Sequence, residues 1–244
     1  MKSTTNVSRT VNVLKSCLAI TSLALFLAGN LAMAASRNPN QGIVKPDGHY
    51  RGDSYGDREA QWWQIMYSIP VVNGQHPLLT GGAVLSNNVV YLSPAPGSTT
   101  PTTTTIDITI PSGTAIFVPV VNAECSTIEP DPFHGDTQLE LSVCANGHID
   151  NTSGLSASID SAPVNSLETY RVQSPLFEFT LPDDNVLQSQ GINAPAGTTA
   201  QAVDAGVYLL LNPLSPGGHT IRVRGTFTEF GGTTIDTMFR ITVQ

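Results

Sequence analysis

Along "HTIRVRGTFTEF", residues 219–230, Ile221, Val223 and Phe227 alternate with Arg222, Arg224, Thr226 and Thr228. A period of two marks a strand with one buried and one solvated face. The same alternation returns in "TTIDTMFRITVQ" through Ile235, Phe239, Ile241 and Val243, and Gly231–Gly232 turns the chain between the two runs. The pair therefore predicts a long antiparallel hairpin. The preceding "GVYLLLNPLSPGG" adds a strand and a turn, so three sequential strands are expected to form a meander. "VVYL" (89–92), "TTIDITI" (104–110), "TAIFVPVV" (114–121), "GLSASIDS" (154–161), "ETYRVQ" (168–173) and "LFEFTLP" (176–182) are rich in β-branched and aromatic residues and read as further strands. "DDNVLQSQGINAPAGTTAQAVDAG" (183–206) reads as a long polar connection.

Two segments carry a helical period. In "EAQWWQIMYSIP", residues 59–70, Glu59, Trp62, Met66 and Ile69 fall on one stripe, and Ala60, Trp63 and Tyr67 on the next. Asp53 or Ser54 caps this helix, and its wide apolar face predicts that it packs on a sheet with both tryptophans in the core. In "DTQLELSVCANGHID" (136–150), Leu139, Leu141 and Val143 fit a strand, whereas Leu141, Cys144, Ala145, His148 and Ile149 fit a helix capped by Asp136. The helix is preferred. Many strands with one or two short helices predict a mainly β fold, an antiparallel β-sandwich of immunoglobulin-like or jelly-roll-like type.

The first 34 residues have a different character. Lys2, Arg9 and Lys15 precede the apolar run "CLAITSLALFLAG", and Ala32 and Ala34 follow it with the spacing of a cleavage site. Residues 1–34 thus read as a signal peptide cleaved after Ala34, with an uncleaved anchor helix as the alternative. Residues 35–54 form a polar extended arm, laid on the surface or left loose, and 55–244 a single domain. The apolar run is too short to span a bilayer, no transmembrane segment is expected after cleavage, and the expected location is the periplasm or the extracellular space.

Removing three basic residues with the leader leaves eight Lys and Arg against nineteen Asp and Glu, a charge of −11. Such a balance argues against nucleic acid, which wants a basic stripe, and against an anionic membrane surface. It leaves a cell-envelope or glycan partner open. Cys125 and Cys144 remain in the mature chain, and in an exported protein such a pair reads as a disulfide, with a metal-thiolate pair as the alternative.

The densest polar segment is "ECSTIEPDPFHGD", residues 124–136. Glu124, Glu129, Asp131 and Asp136 offer the oxygen ligands that calcium takes, and His134 lies among them as a further ligand-binding candidate. The segment also fits a solvated acidic loop or a catalytic carboxylate pair. No G-x-S-x-G, H-E-x-x-H or phosphate-loop pattern occurs, and His219, after "PGG", reads as a residue that satisfies turn carbonyls.

The run of "WWQIMYSIP", "FVPVVNAEC", "YRVQSPLFEFTLPDDN" and "LSPGGHTIRVRGTF" resembles a set of secreted bacterial β-sandwich proteins that carry no assigned activity, from about residue 55 to the end. "PGGHT" with its strand also resembles the late strands of immunoglobulin-like modules on bacterial surface proteins. The resemblance implies fold and export. Relatives of this kind are expected to carry a third tryptophan where this chain has Met66, and a further cysteine pair that is absent here. The chain is thus expected to be an exported non-enzymatic protein that binds a ligand or the envelope. The alternative is an extracellular hydrolase acting on glycan or peptide through a carboxylate pair in the 124–136 loop.

Overall fold

Two mixed β-sheets and four α-helices make up the described part of the chain, which in this computed structural model is Asn40 and residues 42–244. The leader and most of the first arm residues lie outside the described residues. The first sheet has the order β1 (Gly82–Ser86), β2 (Val89–Ser93), β4 (Ala115–Ser126), β9 (Thr199–Leu211), β7 (Arg171–Gln173), with β8 (Phe177–Thr180) also paired to β9. The second has the order β3 (Thr104–Ile110), β11 (Thr233–Val243), β10 (Gly217–Phe227), β5 (Thr152–Ile159), β6 (Ala162–Pro163).

The sheets are not purely antiparallel, as the strand patterns predicted: β2 runs parallel to β4 and β3 parallel to β11. The chain leaves the first sheet after β2, forms β3 in the second, and returns as β4 in the direction of β2. A return by way of another sheet replaces the tight hairpin that an antiparallel neighbour would use. The expected meander is corrected in the same way. The β10–β11 hairpin is present, with Phe227 opposite Thr233, but β9 belongs to the other sheet. Its "VYLLL" run is buried on consecutive residues, which suits a central strand covered on both faces and not an alternating hairpin strand.

The core runs through both sheets. Val118, Val120 and Val121 of β4, Leu209 and Leu210 of β9, Ile221 and Val223 of β10, and Phe239 of β11 share one buried cluster. Gly225 of β10 lies directly over Val121 of β4, and a Cβ there would collide with the Val121 side chain. The arm is laid down over the end of β9: Ile43 is buried, and the Val44 N–H donates to Leu210 O at 2.8 Å.

Helix α1 (Tyr55–Tyr67) begins at Ser54, whose hydroxyl and backbone N–H form a capping box with Asp57. It packs on β7, β8 and β9. Helix α3 (Gln138–Asp150) buries Leu141, Ala145, His148 and Ile149, the helical stripe, and leaves Leu139 and Val143 exposed. Its cap is Thr137, in a box with Glu140, and not Asp136. The short helices α2 (Pro77–Thr80) and α4 (Val186–Ser189) bring the number to four, more than the one or two expected. Both are single turns, too short to show a period in the sequence. None of the described helices is long and apolar enough to cross a membrane.

Cys125, at the end of β4, and Cys144, in α3, form a disulfide with their Cα atoms 6.1 Å apart. It ties α3 to the first sheet across a sequence separation of 19 residues. Replacing both cysteines by alanine is expected to cost about 3 kcal/mol, from the loop entropy the bond removes from the unfolded chain. Urea denaturation of the oxidised protein against the double variant measures this.

Candidate functional site

Two acids meet directly across the centre of the first sheet. Glu124 of β4 and Asp204 of β9 are paired residues in the antiparallel register. Helix α1 lays Glu59, Trp63 and Tyr67 over this region. Glu124 is 3% exposed, and Glu59 and Asp204 are both 0% exposed. Burial raises the pKa of all three well above the ordinary carboxylate range, and neighbouring acids add to the rise for Glu59 and Glu124.

The partners of these acids are neutral. The Tyr67 hydroxyl donates to Glu124 Oε2 at 2.8 Å and lies 3.4 Å from Glu129 Oε2. Ser126 Oγ donates to the same Glu129 oxygen at 2.8 Å. Glu124 and Glu129 therefore converge on one hydroxyl, and burial together with the charge of Glu129 pushes the Glu124 pKa up. Burial raises the Glu129 pKa as well, but its hydrogen bonds with Glu124, Ser126 and Tyr67 hold it back. On the β9 side, the Tyr208 hydroxyl donates to Asp204 Oδ2 at 2.8 Å. The Trp63 indole N–H leans on Asp204 and draws its pKa down against burial, without reaching good hydrogen-bond geometry. Both oxygens of Glu59, Oε1 of Glu124 and Oδ1 of Asp204 lack a hydrogen-bond partner.

Of the four acids expected to surround calcium, Glu124 and Glu129 meet at the Tyr67 hydroxyl, and Asp131 and Asp136 stand apart from them in solvent. Glu124 is interior, Glu129 half-buried at the rim, and Asp131 and Asp136 exposed. Asp136 faces His134, whose Nε2 lies 3.3 Å from Asp136 Oδ1 and whose Nδ1 lies 2.9 Å from the backbone oxygen of Glu129. Among the described residues, one trio of metal-ligand types has its ligand atoms within 4.8 Å of one another: Cys125, Cys144 and His148. Its two sulfurs are bonded to each other and are not free thiolates.

Four members of the cluster, Glu59, Tyr67, Asp204 and Tyr208, escaped sequence reasoning as site residues, Tyr67 because it reads as part of the apolar stripe of α1. Glu59 was visible as an acid on the apolar stripe of α1. Asp204 stands as an acid at the head of the apolar run of β9, but the polar segment before it reads as loop. Tyr208 had no signal of its own. The two tryptophans divide. Trp62 is 1% exposed and donates its indole N–H to Leu92 O at 2.8 Å. Trp63 is half-buried, because it sits at the seam between the main core and a smaller cluster around Phe177 and Phe179. His219 staples its turn: Nδ1 lies 2.7 Å from Asp160 Oδ2 and Nε2 lies 2.9 Å from the Ser215 carbonyl oxygen.

No protein-family model matches the chain, and no curated protein matches it. A solved structure described as "Structure of PbICP-C in complex with falcipain-2" is similar to 64% of this chain and 98% of that one, at 12% identity and a TM-score of 0.25. So low a score carries no argument about fold or function.

Two stability effects follow from this packing. Trp62→Ala is expected to cost about 3–5 kcal/mol, and Trp63→Ala less, since its ring is partly solvated. Tyr67→Phe strips Glu124 of its donor and is expected to cost about 1–3 kcal/mol. Chemical denaturation monitored by circular dichroism distinguishes these ranges.

Proposed function

We propose that the chain acts as an exported, non-enzymatic binding protein of the bacterial cell envelope, with its two sheets arranged as an immunoglobulin-like or jelly-roll-like sandwich. The observation that carries this reading is the closure of its crowded acids. Glu59, Glu124 and Asp204, the carboxyls best placed to act together, are 3% exposed or less and are packed under α1. A hydrolytic pair must reach a substrate bond. Glu124 also has its Oε2 engaged inside the protein, accepting from the Tyr67 hydroxyl at 2.8 Å. Export is supported by the charged and apolar leader pattern and by the disulfide, which suits an oxidising compartment. The acidic mature surface favours a neutral glycan or a cationic envelope component over nucleic acid.

A carboxylate hydrolase is the second reading, favoured by one observation: Glu129 is half-buried and so meets solvent at the rim of the cluster. One experiment separates the two. Purified protein is incubated with insoluble envelope polysaccharide, soluble glycans and unfolded peptide substrates between pH 4 and 8. The expected result is co-sedimentation with the polysaccharide and no released product. Turnover that disappears in both Glu129→Gln and Glu124→Gln would establish the hydrolase instead. Failure to sediment with any envelope fraction would remove the binding reading.

A further inference from the structure

A carboxylate in a dry interior is strongly disfavoured unless a cation or a proton neutralises it. The cluster beneath α1 concentrates that problem. From α1 come Glu59 and the Tyr67 hydroxyl, from β4 Glu124, from the turn after it Glu129, and from β9 Asp204 and Tyr208. These groups are acids and phenols, and the charges that act on the carboxyls come from one another. The basic side chains of the surrounding elements are engaged elsewhere. Arg58 of α1 reaches Asp53, the Tyr50 carbonyl, Gln61 and Tyr91 of β2. Arg171 of β7 pairs with Asp150, His148 of α3 with Glu229, and Arg222 and Arg224 of β10 with Asp236. Glu178 of β8 is exposed. Four interior oxygens on Glu59, Glu124 and Asp204 have no hydrogen-bond partner of good geometry.

We propose that α1 is held on β4 and β9 by a proton-dependent latch, in which Glu124 and Glu129 share one proton and Glu59 and Asp204 never ionise together. While the protons stay, the Tyr67–Glu124–Glu129 bridge joins α1 to the sheet and the Glu59–Asp204 contact is neutral on at least one side. When they leave, like charges face each other across the helix–sheet seam and drive it apart. The device makes the protein one that is tightest in acid and loosens its α1 face as the medium becomes neutral or alkaline.

The sign follows from linkage. Each of these carboxyls has a folded pKa above its unfolded one, so the stability it contributes is complete below the unfolded pKa of about 4 and is lost as pH rises through the folded values. Asp57, Asp107, Glu140, Asp160 and Asp236 have lowered pKa values and act oppositely, below that range. Within pH 5–8, His76, buried against the Met66 carbonyl of α1 with its pKa lowered, opposes the carboxyls, and His219, raised by Asp160, acts with them. The melting temperature of the full protein is therefore expected to fall from pH 5 to pH 8. Glu59→Gln and Glu124→Gln, neutral at every pH, should each raise it at pH 8 by at least about 3 °C and flatten the profile. Hydrogen exchange, corrected for its intrinsic pH dependence, should show the α1 peptide 55–67 opening over the same range in the wild type and less in the variants. A melting temperature that stays level or rises from pH 5 to 8 overturns the latch, whether or not the variants fold. So do variants that fold and keep the wild-type slope. So would a wild-type gain at pH 8 from millimolar calcium over chelator that Glu59→Gln abolishes, because the carboxyls would then hold a cation.

Discussion

Strands β4 and β9 pair over nearly their whole lengths, from Ile116 opposite Leu211 to Ser126 opposite Ala202. Both are buried on consecutive residues, so neither face of this pair can be left to water. The rest of the architecture supplies the cover. Helix α1 and the arm lie over β9, α3 is bound to β4 by the disulfide and packs on both strands, and β10 and β5 of the second sheet approach β4. The tightest approach, at Gly225 over Val121, has no room for any side chain.

That demand for cover explains the chemistry of the interior. Glu124 and Asp204 are carried into the core because their strands are, and their register sets them opposite each other. Helix α1 then brings Glu59 to the same place on the stripe that buries Trp62 and Met66. Apolar burial of the flanking residues outweighs the cost of the acids as long as those acids stay neutral or accept from Tyr67 and Tyr208. A binding protein working in the envelope and a proton-dependent α1 are compatible, since the exported side of a cell is where external pH acts directly.

Much of the fold was legible in the residues. The β10–β11 hairpin followed from strict alternation closed by two glycines, α1 from a capped helical period, and α3 from the stripe Leu141, Ala145, His148 and Ile149. The disulfide followed from the two cysteines left once residues 1–34 are read as a leader. Strand direction was not legible, because parallel and antiparallel neighbours of β2 and β3 use the same β-branched residues. Nor was the sheet to which β9 belongs, since the turn "NPLSPGG" can join two strands of one sheet or carry the chain to another.

The candidate site shows the same division more sharply. Acids crowding residues 124–136 and Glu59 on an apolar stripe are legible in the chain, because both are matters of local spacing. Which acids act on one another is set by folding. It sent Asp131 and Asp136 to solvent, set Asp204 opposite Glu124 and brought Glu59 close enough to feel the Asp204 charge. The reason is physical: a carboxyl's charge state depends on its desolvation and on its neighbours within a few ångströms, and both are set by how strands register and helices dock.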